Sequence, residues 1–421
     1  MISAAVRFST MDDRQFERFM MGLFAIAAAA LFAIVQITGI HSSVVEGYFA
    51  YADAMMHGVF PYTDEVYVYG YWNVWEYPPL AYVFMFIPRI FSSSTVVYQA
   101  AYLVMVLLFV WIGMRSVSVI ADERGYSRRH AVLMYTVMML LMAEFVLDRY
   151  DVFPVVFTIL AVQLFLQRRY PLAAAMIGLG TLLKVYPALL APIFLIWLLK
   201  GRDLRGVIGA AVGFLAVMCI AIPFVLLGDI SQMFYYHSDR PLEIECFAAS
   251  LLEVVRLIVP SCGMEVVYSY GSDNLVGGVA DSIAPYMTYF MAGCIVVIWL
   301  AYLYSIGRTG AGVDRRSFYA MFLTVCAFIM CGSVFSGQYI IWLIPFVLLY
   351  IMCVSDFEER KSLFALFVVV EVFTQLNFLF NFGMRPDVFL SPWGVGVLVV
   401  RNLAILYMMV LGIRDLFRKD A

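Results

Sequence analysis

HSSVVEGYFAYADAMMHGVFPYTDEVYVYGYWNVWEYPPLAYVFMFIP, residues 41–88, is the stretch on which the reading of the whole chain turns. It follows the first strongly apolar segment and contains no Lys or Arg, but it carries the carboxylates Glu46, Asp53, Asp64, Glu65 and Glu76 among Tyr and Trp. Its apolar end, residues 78–91, is about 14 residues long, or roughly 21 Å as a helix. A hydrocarbon core is about 30 Å thick, so this piece is too short to cross. If it did cross, the basic run 124–130 (RGYSRRH) would fall on the outer side, against the rule that short basic loops stay in the cytoplasm. A re-entrant piece that dips in and returns keeps that run inside.

The rest of the chain fits this register. With 64% hydrophobic and 14% charged residues and a mean hydropathy of +0.90, it is far more apolar than a soluble domain. Apolar runs of spanning length recur along it, and they are continuous rather than alternating, which excludes a β-barrel. The expected fold is an all-α polytopic membrane protein, a single domain over residues 1–421. Spans are expected near 19–40, 95–118, 130–147, 152–167, 170–183, 187–200, 206–227, 284–305, 317–334, 339–354, 362–381 and 392–413, with both ends cytoplasmic. The first outer loop is then 41–77 and a second large one is 228–284. Within the second, residues 246–259 are apolar on one face and carry Glu253 and Arg256 on the other, as suits a helix lying in the interface. Residues 1–18 are polar, so the first apolar run reads as an anchor rather than a cleaved signal. The seven cysteines show no CxxC spacing; most read as buried thiols, and Cys246 and Cys262 alone flank an outer segment where a disulfide is open.

This topology gathers the ionisable groups of the apolar part on the outer face. Asp148, Arg149 and Asp151 fall at one span end and Lys184 at another. His237, Asp239, Arg240, Glu243 and Glu245 lie in the second loop, and Ser336, Gln338 and Tyr339 between two spans. Charges at membrane depth are costly, so their convergence marks a functional site. Each has a plainer alternative: Lys184 as a snorkelling cation, Asp148 and Arg149 as a structural pair, Arg240 paired with Glu243 or Glu245, His237 as a loop histidine, the aromatics as an interfacial belt. A carboxylate in a partly dehydrated aromatic pocket is raised toward neutrality and becomes a competent base. Glu46, Asp53 and His57 share one side of a helix by spacing, and Asp64 and Glu76 sit at turns, so the choice of base stays open at this point.

Residues 46–64 (EGYFAYADAMMHGVFPYTD) and 76–81 (EYPPLA) resemble the first external loop of GT-C-type membrane glycosyltransferases. More narrowly, they are similar to the glycosyltransferase family 87 mannosyltransferases that use polyprenyl-phosphate-mannose. The likeness continues in order through 149–154 (RYDVFP), 168–173 (RRYPLA), 183–187 (LKVYP), 236–245 (YHSDRPLEIE) and 335–345 (FSGQYIIWLIP).

The resemblance implies a GT-C-like bundle and inverting sugar transfer, most simply of mannose, from a polyprenyl-phosphate donor to a lipid-linked or glycolipid acceptor at the outer face of the cell membrane. It implies Glu46 or Asp64 as the base and Lys184, His237 and Arg240 as partners of the donor phosphate. Asp53, Glu76, Tyr77, Asp151 and Gln338 are its candidate sugar or acceptor contacts. No cofactor is required; a divalent cation held by the loop acids stays open, and no spacing specifies a metal site. Two departures stand out. Ser43, Val44 and Val45 occupy the positions where the family carries an Asp before the Tyr matching Tyr48, and Gly337 stands where a Pro is common. The alternatives are another polyprenyl-phosphate sugar, such as arabinofuranose or glucose, and a lipid or solute transporter. Transporters carry repeats and broken midplane helices, which this chain does not show.

Overall fold

The computed structural model describes residues 11–38, 43–68, 71–238, 240–307, 313–380 and 390–418. The chain is a bundle of helices: α1 (Asp13–Thr38), α2 (Ser43–Met56), α3 (Pro79–Arg89), α4 (Thr95–Glu123), α5 (Arg128–Leu141), α6 (Ala143–Asp148), α7 (Val152–Leu166), α8 (Tyr170–Leu183), α9 (Ala191–Lys200), α10 (Leu204–Met218), α11 (Ile222–Leu227), α12 (Ser231–Ser238), α13 (Phe247–Ile258), α14 (Gly278–Ser305), α15 (Val313–Met330), α16 (Ile340–Cys353), α17 (Phe357–Phe378) and α18 (Pro392–Leu416). Two small antiparallel sheets are confined to loops. Strands β1 (Val66–Val68) and β2 (Tyr71–Asn73) form a hairpin in the first loop. In the second, β3 (Leu242–Glu243) and β4 (Glu265–Ser269) flank β5 (Ser272–Val276).

Every expected span is helical. Six helical segments are long and apolar enough to cross a membrane: Asp13–Thr38, Thr95–Glu123, Leu204–Leu227, Gly278–Ser305, Phe357–Phe378 and Pro392–Leu416. Val152–Leu166, Tyr170–Leu183, Tyr186–Lys200 and Gly337–Cys353 are shorter. The difference follows burial. All of α16 is buried, as is most of α7, whereas Leu204–Leu227 is almost wholly exposed. A helix apolar on every side is at home in the centre of a bundle, where long neighbours shield it from water and lipid alike. Helices α8 and α10 cross closely because Gly213 packs on the Pro171 carbonyl; a Cβ there would lie 1.9 Å from that oxygen.

Contacts between connections sort the chain into two ends. At one, Arg129 pairs with Asp13, Gln167 bonds Glu123, the Lys200 ammonium donates to the Gly307 carbonyl, Arg360 lies over Tyr126 and Arg414 pairs with Glu359. At the other, the Gly228–Asp229 turn meets Tyr62, Lys184 meets Asp151, and Glu243 meets Ser333 and Ser336. The run 124–130 therefore shares an end with the start of α1. Gln36 near the end of α1 bonds Gln99 near the start of α4, so everything between them stays at the opposite end. Helix α3 dips into the bundle, with Phe84 against Phe109 and Phe153, and returns with Arg89 on Asp53. This is the re-entrant geometry that its length requires.

Two expectations change. Cys246 and Cys262 are free; the Cys246 sulfur, buried at the start of α13, accepts from the Ala249 amide. The interfacial helix exists as α13, but its Glu253–Arg256 pair (2.7 Å) turns inward, and Leu251, Val255 and Ile258 face out. A fully buried carboxylate is stable there because three hydrogen bonds from one guanidinium saturate it.

Candidate active site

Asp151 stands just before α7 and Lys184 just after α8, so the helical hairpin delivers both to one point. The Lys184 ammonium lies 3.5 Å from the Asp151 carboxylate, and the Trp342 indole N–H donates to the same oxygen at 2.8 Å. Asp151 is 1% exposed and Lys184 17%. Aromatic faces supply the rest of the lysine's surroundings: Tyr150 at 4.5 Å, Tyr77 at 5.7 Å, Trp342 at 5.8 Å and Tyr339 at 5.9 Å from ring centroid to Nζ. Trp342 is itself clamped between Tyr339 (4.0 Å) and Tyr186 (4.5 Å), both stacked on it. Burial pulls the Lys184 pKa down, and the charges of Asp151 and Glu76 oppose that pull. Ring quadrupoles hold the cation without neutralising it. A close charge-assisted hydrogen bond measures about 2.7–2.9 Å, so the 3.5 Å contact leaves this ammonium with donor capacity to spare.

The second loop builds the opposite wall. Glu243, on β3, accepts from the Ser336 hydroxyl at 2.7 Å, while its other oxygen is buried with no hydrogen-bond partner. Arg240 donates to Ser272 at 2.8 Å, and its charge, like that of Glu243, acts on the Tyr339 hydroxyl. His237 lies on α12, but its side chain is outside the described residues. Gln338 is half-buried in the 3-10 turn Gly337–Tyr339. Gly337 is explained by space: a Cβ there would sit 2.7 Å from the Phe145 ring, so the proline common at this position would not fit.

The first loop packs as an aromatic block. Trp75 and Tyr82 are 4.7 Å apart, the Tyr62 hydroxyl bonds the Tyr77 carbonyl at 2.5 Å, and the Trp75 indole bonds the Asp64 carbonyl at 2.5 Å. Tyr77 and Tyr150, 5.2 Å apart, join this block to the Lys184 centre, and Tyr48 lies against both. The carboxylates separate by surroundings. Glu76 is half-buried, and its charge acts on Lys184, Tyr150 and Tyr339. Glu46 is exposed on the first turn of α2, and its charge acts on Asp148. Asp64 is exposed, beside the Thr63 hydroxyl. Asp53 accepts two hydrogen bonds from the buried Arg89, at 2.7 and 2.9 Å.

Lys184, Asp151, Glu76, Tyr77 and, through Tyr339, Arg240 thus come together. Sequence reasoning passed over Trp342 as the donor to Asp151, Arg89 as the partner of Asp53, and the Glu243–Ser336 bond. Trp342 sat in a quoted motif, but nothing in sequence separates an indole that bonds a carboxylate from one that packs. Glu245 is taken by Arg401 at 2.6 Å rather than by Arg240. Among the described residues, no three His, Cys, Asp or Glu side chains cluster as a cation site.

Bundle and site are those of a GT-C-type membrane glycosyltransferase. The narrower likeness is to Glycosyltransferase family 87, whose model matches residues 75–259. That match takes in Glu76, Asp151, Lys184 and Arg240 and leaves out Glu46, Asp64 and Gln338. Among solved structures, ArnT from Cupriavidus metallidurans bound to undecaprenyl phosphate is similar with a TM-score of 0.45 and 11% identity, over 92% of this chain and 76% of that one. The oligosaccharyltransferase of Archaeoglobus fulgidus in its apo form gives 0.41 and 15%, over 95% of this chain and 56% of that one, so the chain spans little more than half of that protein's length. No curated protein matches the chain in sequence.

Proposed function

We propose that the protein transfers a sugar, mannose, from a polyprenyl-phosphate donor to a lipid-linked or glycolipid acceptor, with inversion, at the extracytoplasmic face of the cell membrane. The observation that carries this reading is Lys184: a largely buried cation with one distant carboxylate and ring faces around it. Such a group is built to meet an anion, and the leaving group of this reaction is one. In the transfer, the acceptor hydroxyl gives its proton to Glu46 or Asp64, its oxygen bonds the anomeric carbon from the far face, and the carbon–oxygen bond to phosphate breaks. Charge growing on the departing polyprenyl phosphate is stabilised by Lys184, with Arg240 and His237 from the second loop. Glu76, Tyr77, Asp151 and Gln338 line the sugar, and Asp53 holds the loop through Arg89.

Purified protein given polyprenyl-phosphate-mannose, -arabinofuranose or -glucose tests the donor; mannose transfer is expected. Glu46→Gln or Asp64→Asn should abolish transfer while the protein still inserts. Full activity in both variants would show that the base lies elsewhere, and absence of catalysis by active-site-intact protein in detergent would favour the transporter.

A further inference from the structure

Beside the Lys184 centre the bundle opens a second time, in a half-open slot of ≈ 480 Å³ between α1, α4 and α6. Its walls are mostly apolar, with Val35 and Leu103 among them, and its polar groups are carboxyls, amides and a phenol: Glu144, Asp148, the Gln36–Gln99 pair and Tyr102. The Tyr102 hydroxyl is buried without a hydrogen-bond partner. Tyr102 packs 6.0 Å from Tyr48, which in turn lies 5.8 Å from Tyr150, the ring beneath Lys184. One tyrosine therefore separates the slot from the proposed donor centre.

Charge decides what the slot takes. No Lys, Arg or His lines it, so a phosphate would meet two carboxyl groups and no cation. A neutral head rich in hydroxyls meets acceptors and a free phenol, and a hydrocarbon chain suits the apolar wall. Ile34, Ile37 and Val104, on the same two long helices, are exposed, as lipid-facing residues are. Burial pushes the Asp148 carboxyl up to about 8, against the pull of Arg149, so at neutral pH it can donate to a hydroxyl as well as accept from one. Glu46, whose charge acts on Asp148, is the first-loop acid nearest in effect to this end of the slot.

The geometry points to this slot as the acceptor site, holding a neutral, hydroxyl-bearing lipid with its chain along Val35 and a head hydroxyl between Asp148 and Tyr102. This rests on the transfer reading above, which gives the donor phosphate to Lys184. Two lipids then approach one reaction centre from sites of opposite electrostatic character, which keeps each out of the other's place.

Photolabelling in nanodiscs tests it with two probes, dodecyl glucoside with a diazirine at the chain end and a diazirine-tagged polyprenyl phosphate. The glucoside should label peptides from α1 and α4, and Val35→Trp, which fills the slot, should cut that labelling about tenfold, the scale of a lost fit in an apolar pocket. Leu108→Trp, on an exposed face of α4, should leave it unchanged. Labelling that ignores Val35→Trp, or the prenyl phosphate labelling the slot instead, would overturn the assignment. In the transfer assay, Val35→Trp should raise the acceptor KM about tenfold with the donor KM unmoved; the reverse pattern would again overturn it. If the wild type transfers no sugar, the transfer reading fails, while the labelling still reports on the slot.

Discussion

Two buried ion pairs in this molecule look alike on paper and are built for opposite purposes. Arg401 is fully enclosed and spends every arm: one on the Glu245 carboxylate at 2.6 Å, one on the Glu245 carbonyl at 2.8 Å and one on Asn402 at 3.1 Å, with the Phe335 ring 4.1 Å away. Lys184 keeps its single carboxylate at 3.5 Å and is otherwise surrounded by ring faces. The first pair is saturated and ties α18 to the second loop. The second is left short of partners, and a cation short of partners inside a membrane protein is a binding site in waiting. Saturation, rather than burial, separates structure from function here.

Removing the saturated pair should do the most damage. Arg401→Ala leaves Glu245 buried and alone, at a cost of about 3–5 kcal/mol, which a thermal melt in detergent would record as loss of the folded protein. Lys184→Gln should melt much closer to the wild type, because Asp151 keeps the Trp342 bond, yet lose about a hundredfold or more in kcat/KM. A Lys184→Gln variant that unfolds as Arg401→Ala does would erase the distinction. Glu243→Gln probes the intermediate case, one oxygen bonded and one free; about a tenfold loss in kcat/KM with an unchanged melt would put the free oxygen on a substrate hydroxyl. Lys361→Ala breaks only a surface pair with Glu358 and should shift stability by less than about 0.5 kcal/mol, the baseline for the series.

The contrast also shows what the sequence could carry. Spans, their order and the re-entrant α3 were legible because hydrophobic length and basic flanks act locally, and 78–91 is simply too short to cross. That Lys184, Asp151 and Glu76 meet followed from topology, since all lie on connections at one end. Whether a charge is satisfied was not legible, because the partner comes from far along the chain: Arg401 reaches back to Glu245, Trp342 to Asp151, and Ser336 to Glu243. Asp53 looked like a free loop acid until Arg89 closed on it. The slot at Asp148 was equally hidden, being formed by three helices none of which announces a cavity. Gly337 was read as a change in loop stiffness, whereas the Phe145 ring above it gives the steric reason.

The account stands most directly on the binding of a polyprenyl phosphate to wild-type protein and to Lys184→Gln, measured by isothermal titration in the same detergent. It predicts binding weakened about tenfold or more in the variant, as expected for a lost charge-assisted contact, with the melting temperature nearly kept. Equal affinity in the two proteins would contradict it and return Lys184 to the scaffold.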